Sequence, residues 1–110
     1  MKKAQYSFEK FLINACDEKI SAQVVLTENN GSSHTRISEE MSGSNFTDAI
    51  LKCINNVTGL SLTIISHRVV CGRAVVWVDY KGKMCKGVCD DKIELRASAK
   101  AYIHAINESL

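Results

Sequence analysis

Apolar and polar residues alternate along several stretches of the chain, a period-two pattern that is typical of β-strands. In residues 74–80 the alternation puts Ala74, Val76 and Val78 on one face and Val75 and Trp77 on the other. Most of these stretches are rich in β-branched residues and are separated by turn-forming segments that contain Asn or Gly. The pattern predicts six strands, over residues 8–15, 20–27, 33–41, 60–70, 74–80 and 84–89.

Two other stretches repeat their apolar residues every three or four positions, the spacing of one face of an α-helix. The first begins near Phe46, with Ser44 in the position of an N-cap. Asp48 then lies in its first turn, and Gly59 marks its end. The second helix is predicted over residues 95–106, and the chain contains no proline that would interrupt either helix.

The two halves of the chain resemble each other when the sequence is aligned with itself at an offset of 52 residues. Residues 21–26 then align with 73–78, and residues 49–55 align with 101–107. The offset is kept from strand to helix without a gap, which indicates a duplicated supersecondary unit. The expected fold is α+β, with two tandem βββα units, internal pseudo-twofold symmetry, and antiparallel sheets with helices packed on one face. All 110 residues form a single domain in this interpretation, with repeats at about 6–57 and 58–110.

The face of the second repeat that carries Val75 and Trp77 is predicted to point away from the helices. Exposure of this apolar face to solvent would be energetically unfavourable. A second copy of the chain is the simplest cover, so a homodimer is expected. Loops of the same chain are the alternative cover.

Composition narrows the class of protein but does not identify its function. Hydrophobic residues make up 45% and charged residues 24% of the chain, as in ordinary globular domains. The net charge of +2 does not favour a dedicated nucleic-acid binder. No apolar run approaches the ~20 residues that span a bilayer. Glu9 and Lys10 interrupt the start where a secretory signal would be apolar, so the expected location is cytoplasmic.

Candidate chemical groups are present but do not form a recognisable catalytic or metal-binding motif. The five cysteines are an odd number, which favours free thiols. Cys85 and Cys89 would be about 13 Å apart on one strand, too far to share a metal unless Gly87 forms a turn between them. We therefore expect no catalytic residue, metal or cofactor. The three histidines lie on different predicted elements: His34, His67 and His104.

Two segments resemble the C-terminal regulatory domain of alpha-isopropylmalate synthase and citramalate synthase. Residues 43–49 read Gly-Ser-Asn-Phe-Thr-Asp-Ala, which is similar to the Gly-Asn-Gly-Pro-Val-Asp-Ala segment of that domain. Residues 97–107 match the Ala-Ser-x-x-Ala-Tyr-x-x-Ala-x-Asn string of its last helix. That domain is itself a pair of βββα units, and the resemblance covers residues 6–110.

The resemblance implies a non-catalytic, allosteric dimerisation domain that binds leucine or isoleucine near its dimer interface. It places the chain in the regulation of leucine or isoleucine biosynthesis, with catalysis in a separate synthase barrel as a partner. Carried over by position, the candidate effector-binding or interface residues are Gly43, Ser44, Asn45, Asp48, Ala49, Gly72 and Ala74.

Two alternatives remain open at the level of sequence. Residues 70–73 are shorter than the family's glycine-rich loop, which suits a structural dimerisation module that docks to a catalytic chain without binding an effector. A double-stranded-RNA-binding module is the second alternative, but acidic residues at the start of the last helix would repel phosphate. The basic residues that suggest it are Lys81, Lys83, Lys86, Lys92, Arg96 and Lys100, and the acidic ones are Asp90, Asp91 and Glu94.

Overall fold

A computed structural model describes residues 5–60 and 62–110, which form two antiparallel sheets and two helices. The predicted α+β class is confirmed. Neither helix of the described chain is long and apolar enough to cross a lipid bilayer. In chain order the elements are β1 (Gln5–Cys16), β2 (Lys19–Asn29), β3 (Ser33–Ile37), β4 (Met41–Ser42), α1 (Phe46–Thr58), β5 (Thr63–Val70), β6 (Arg73–Tyr80), β7 (Lys83–Asp90) and α2 (Glu94–Ser109).

The first sheet has the order β1-β2-β3, with the short β4 also paired to β2, and the second has the order β5-β6-β7. The single strand predicted over residues 33–41 is therefore wrong, because it divides into β3 and β4. Ser38 explains the break. The Val24 N–H donates to the Ser38 hydroxyl oxygen at 2.9 Å, whereas in a regular strand pair it would donate to a backbone carbonyl. The chain leaves extended pairing there and resumes it at Met41.

The inner faces of the sheets and the helices form one core that is shared by both halves of the chain. Eight pairs of residues that lie 52 positions apart in the sequence have both members buried. This separation equals the offset at which the sequence aligns with itself. The β1–β2 and β5–β6 turns depart from this offset, since they are 54 residues apart. The reason is that the β1–β2 hairpin is longer and extends further beyond the core than the β5–β6 hairpin does. The buried pairs are Ala22 and Ala74, Val24 and Val76, Leu26 and Val78, Ala49 and Ala101, Ile50 and Tyr102, Leu51 and Ile103, Cys53 and Ala105, and Ile54 and Ile106.

Helix α2 connects the two halves through side-chain hydrogen bonds as well as through the core. The Asn107 side chain accepts a hydrogen bond from the Tyr6 N–H and donates one to the Tyr6 carbonyl oxygen, each at 2.9 Å. This pairing replaces the backbone partner that the edge of β1 lacks at Tyr6. The Tyr102 hydroxyl donates to the side-chain oxygen of Asn55 in α1. The first sheet is thus held to α2, and α1 is held to α2.

Candidate functional site

The loop before α1 contains most of the residues that the resemblance nominates, and it is tightly built. A Cβ on Gly43 would lie 2.5 Å from the Ala49 nitrogen, so only glycine fits this close approach. The N-cap is Asn45, whose side-chain oxygen accepts from the Asp48 N–H at 2.8 Å. The prediction of Ser44 as the N-cap is wrong by one residue. Instead the Ser44 N–H donates to the Asp48 carboxylate at 2.9 Å, which fixes Ser44 outside the helix.

The Asp48 carboxylate is the charged group of this loop. The Ser44 N–H lowers the pKa of Asp48, and the Lys52 ammonium, 3.2 Å away, acts in the same direction. Asp48 is therefore ionised at neutral pH, and its negative charge is favourable at the N-terminal end of α1. The carboxylate remains partly exposed, so it can also meet a cation from solvent.

A hollow of about 450 Å³ opens beside this loop. His67 reaches it from β5, which brings a residue of the second half against the helix start of the first half. The sequence gives no reason to nominate His67 for this site, because the residues that it meets in the fold are remote in the chain. The lining combines hydroxyl, amide, carboxylate, imidazole and apolar groups: Ser44, Asn45, Thr47, Asp48, Leu51 and His67.

The imidazole of His67 is anchored rather than free. Its Nε2 atom lies 2.8 Å from the Oγ of Ser98, within hydrogen-bonding distance. Burial lowers the pKa of His67, so the ring is neutral at neutral pH. Ser98 is buried within α2, and no carboxylate in the described chain contacts the imidazole. The pair lacks the orienting acid and the accessible nucleophile of a hydrolytic triad, and its evident role is to join β5 to α2.

The two nominated residues of the second half lie elsewhere. The methyl group of Ala74 is fully buried in the core, as is that of Ala49, so neither can touch a ligand from solvent. Gly72 lies in the β5–β6 turn, where its carbonyl accepts from the Asp91 N–H at 2.8 Å. A separate hollow of about 520 Å³ adjoins this turn, and its lining shares no residue with the hollow beside α1: Cys71, Gly72, Asp90, Asp91 and Lys92.

Asp91 organises the charges at the start of α2. Its side chain is only 7% exposed and contacts Arg96 Nε at 2.7 Å and Lys100 Nζ at 3.1 Å. The Arg96 guanidinium holds the pKa of Asp91 well below its usual range, helped by the Ile93 N–H. Two of the basic residues that suggested RNA binding, Arg96 and Lys100, thus share an ion pair with one carboxylate of the chain itself. This arrangement gives no support to phosphate binding at the helix start.

Replacing Asp91 with asparagine is expected to destabilise the chain at pH 7 and to destabilise it less near pH 2, because protonation of the wild-type carboxyl has by then begun to remove its contribution. In the wild type the lowered pKa stabilises the folded state above the pKa of the unfolded carboxyl, about 4. That contribution is lost as the pH falls through the folded-state pKa. Urea unfolding of both chains between pH 7 and pH 2 checks this, with Glu18→Gln as a control, since Glu18 is exposed in the β1–β2 turn. A stability difference between the Asp91 variant and wild type that does not change with pH would contradict it.

The cysteines are free thiols in the structure, as predicted. Cys85 and Cys89 both lie in the extended strand β7, and Gly87 between them packs against α2 instead of forming a turn. Cys53 is buried and donates to the Ala22 carbonyl oxygen at 3.0 Å, and burial raises the pKa of its thiol. The described residues contain no group of three or more side chains placed to hold a metal ion.

The outer face of the second sheet is open. Trp77 is 37% exposed and Val70 is 66% exposed, and no loop of the described chain covers them. Val75, between them on the same face, is half-buried. A groove of about 560 Å³ runs over this face between β5 and β6. A scan of the chain against protein-family models gives no match, and a search of curated proteins finds no significant match.

Proposed function

We propose that the chain is a non-catalytic regulatory domain of the cytoplasm, built from two βββα units, that pairs with a second copy and binds a branched-chain amino acid. A separate catalytic barrel would be the enzyme that it regulates. The proposal follows the resemblance to the regulatory domain of alpha-isopropylmalate and citramalate synthases. The hollow beside α1 is the main structural support for the proposal, because the nominated residues Ser44, Asn45 and Asp48 all line this hollow.

The internal duplication is supported by the burial pattern. Eight positions at the alignment offset are buried in both halves, on the central strands and on the helices alike. A duplicated unit would produce this pattern, because corresponding residues of the strand and of the helix would be buried in both copies at the same sequence separation. The extra strand β4 and the longer β1–β2 hairpin are departures of the first half from that common pattern.

Pairing is supported by the apolar outer face of the second sheet. Val75 and Trp77 lie at its centre, and Val70 and Met84 are exposed around them. Exposure of several apolar side chains on one face is unfavourable in water and is relieved when a second surface covers them. A twofold pair of identical faces would bury both patches at once.

Amino-acid binding is supported by the chemistry of the hollow. The Asp48 carboxylate can receive the ammonium group, and the hydroxyls of Ser44 and Thr47 can donate to the carboxylate. Leu51 supplies an apolar surface for a branched side chain. His67, held by Ser98, closes the opposite wall.

Calorimetric titration with leucine, isoleucine and valine tests effector binding. We expect saturable heat with at least one of them, and a dissociation constant at least tenfold weaker in Asp48→Asn because the ammonium loses its counterion. Asp79→Asn, on the opposite side of the second sheet, is the matched control and should bind as the wild type does. Absence of heat at millimolar ligand in folded, paired protein would remove the effector from the proposal.

A structural pairing module without an effector is the second candidate, and specific contacts favour it. Asn45 and Ser44 hydrogen-bond to Asp48, and Ala49 and Ala74 are fully buried. These residues therefore have structural roles that need no ligand. Under this candidate the chain pairs and docks to a catalytic protein, and the same titrations give no heat.

A further inference from the structure

The groove on the outer face of the second sheet has the dimensions of a small-ligand site. Its volume of about 560 Å³ falls within the range of small-molecule pockets, roughly 300–1,000 Å³. The groove follows three cross-strand pairs that lie on this face, at every second residue of β5. From the first to the third pair is four residues, or about 13 Å at ~3.3 Å per residue. The three pairs are Ser66 with Trp77, Arg68 with Val75, and Val70 with Arg73.

The apolar surface of the groove is continuous along its floor. Val75 lies at the centre, the indole of Trp77 lies at one end, and Val70 lies at the other. An indole beside a branched aliphatic side chain offers a flat surface on which a ring or a branched chain can pack. The groove therefore provides one apolar subsite of limited length.

The cations in the groove, Arg68 and Arg73, and the neighbouring Lys86 are not equivalent. Arg73 is neutralised by Asp90, to which its Nε and Nη2 atoms donate at 2.7 and 3.0 Å. Lys86 is placed over the ring of Trp77, with its nitrogen 5.7 Å from the ring centroid. Within residues 5–60 and 62–110, no ion pair or hydrogen bond engages the Arg68 side chain. Arg68 is thus an unpaired guanidinium beside an apolar floor.

The charge of the lining selects an anion without an ammonium group. No carboxylate lines the groove, so a positively charged group of a ligand would find no partner there and would face Arg68. A guanidinium binds a carboxylate through two parallel hydrogen bonds, which fixes the orientation of the ligand as well as attracting it. A polynucleotide is disfavoured, because single-strand binding uses several aromatic side chains along a basic channel, and here there is one tryptophan.

We infer that this groove binds a small apolar carboxylate, with its carboxylate on Arg68 and its apolar part on Val75 and Trp77. The site is distinct from the amino-acid hollow beside α1, since the two share no residue. This inference rests on the proposed function only through Val75 and Trp77, which also belong to the proposed pairing face. If two copies pair through that face, a bound ligand is enclosed between them.

Fluorescence of Trp77, the only tryptophan of the chain, tests the inference directly. The probe is 3-phenylpropanoate, and its matched neutral control is 3-phenylpropanamide. We expect the carboxylate to change the emission saturably and to bind at least tenfold more tightly than the amide. Phenylalanine, which adds an ammonium group, should also bind at least tenfold less tightly than 3-phenylpropanoate.

Two variants separate recognition by Arg68 from a general effect of charge. Arg68→Gln should weaken 3-phenylpropanoate binding at least tenfold, whereas Lys92→Gln, an exposed cation outside the groove, should bind as the wild type does. Both positions are exposed, and circular dichroism confirms that each variant is folded. Equal binding of acid and amide, unchanged affinity in Arg68→Gln, or no change of emission would each overturn the inference.

Light scattering on the same samples keeps this result separate from the pairing proposal. A monomer that binds the carboxylate through Arg68 would overturn pairing and uphold the groove site. A dimer that shows no Arg68-dependent binding would uphold pairing and overturn the groove site.

Discussion

Replacing Gly87 with alanine is expected to lower the free energy of unfolding by about 3 kcal/mol, because the core cannot accommodate the added methyl group. A Cβ at this position would lie 1.8 Å from the Ala101 carbonyl oxygen and 2.6 Å from the Ala105 nitrogen. Both contacts are with the backbone of α2, so a rotamer change cannot relieve them. The helix would have to move away from β7 along its length. Urea unfolding at neutral pH measures the loss.

Two further variants identify the cause of that loss. Gly82→Ala has no atom within 4 Å of the new Cβ and keeps only the strain of a φ of 85°, so it should cost about 1 kcal/mol. Adding Ala101→Gly to the Gly87 variant should restore nothing, since the clash is with the backbone. A Gly87→Ala chain no less stable than Gly82→Ala would contradict this close packing of α2 on β7.

Replacing Tyr102 with alanine is expected to cost about 4 kcal/mol, since it removes the largest of the fully buried side chains. The ring lies in the core shared by the two halves, and its hydroxyl donates to Asn55. Tyr102→Phe keeps the ring and should cost only about 1 kcal/mol, the value of one hydrogen bond whose acceptor is left unpaired. Thermal and urea unfolding measure both losses.

The same experiment asks whether the two halves unfold together. A shared core requires one transition in the wild type and in Tyr102→Phe, with fluorescence of Trp77 and circular dichroism changing at the same urea concentration. Asn55→Ala combined with Tyr102→Phe should cost less than the sum of the single changes, because both remove one bond. Two separate transitions in the wild type would contradict the shared core.

The periodicity of apolar residues predicted the central strand of each sheet and both helices, because β2, β6, α1 and α2 each bury one face. It failed where one side chain changed a local hydrogen bond. Ser38 accepts the Val24 N–H and ends β3, and nothing in the apolar pattern marks that event. The N-cap moved from Ser44 to Asn45 for a similar reason, since both residue types cap helices and only the Ser44 bond to Asp48 decides between them.

The candidate site could be predicted only in part, because it is assembled from remote segments. The loop before α1 was identified from one contiguous segment, whereas its partner His67 comes from β5. Ala74 shows the reverse case, since this position was carried over from a family motif and its side chain is buried in the core. The groove around Arg68 depends on which cations are already paired, and pairing between neighbouring strands is not visible in the sequence.

Sedimentation equilibrium over a range of protein concentrations is the most direct test of pairing through the outer face of the second sheet. The wild type should approach twice the chain mass of 12.2 kDa, and Trp77→Lys should sediment as a single chain while remaining folded. A wild-type chain that stays at 12.2 kDa at every concentration, or a Trp77→Lys chain that still pairs, would contradict the proposed function at its centre.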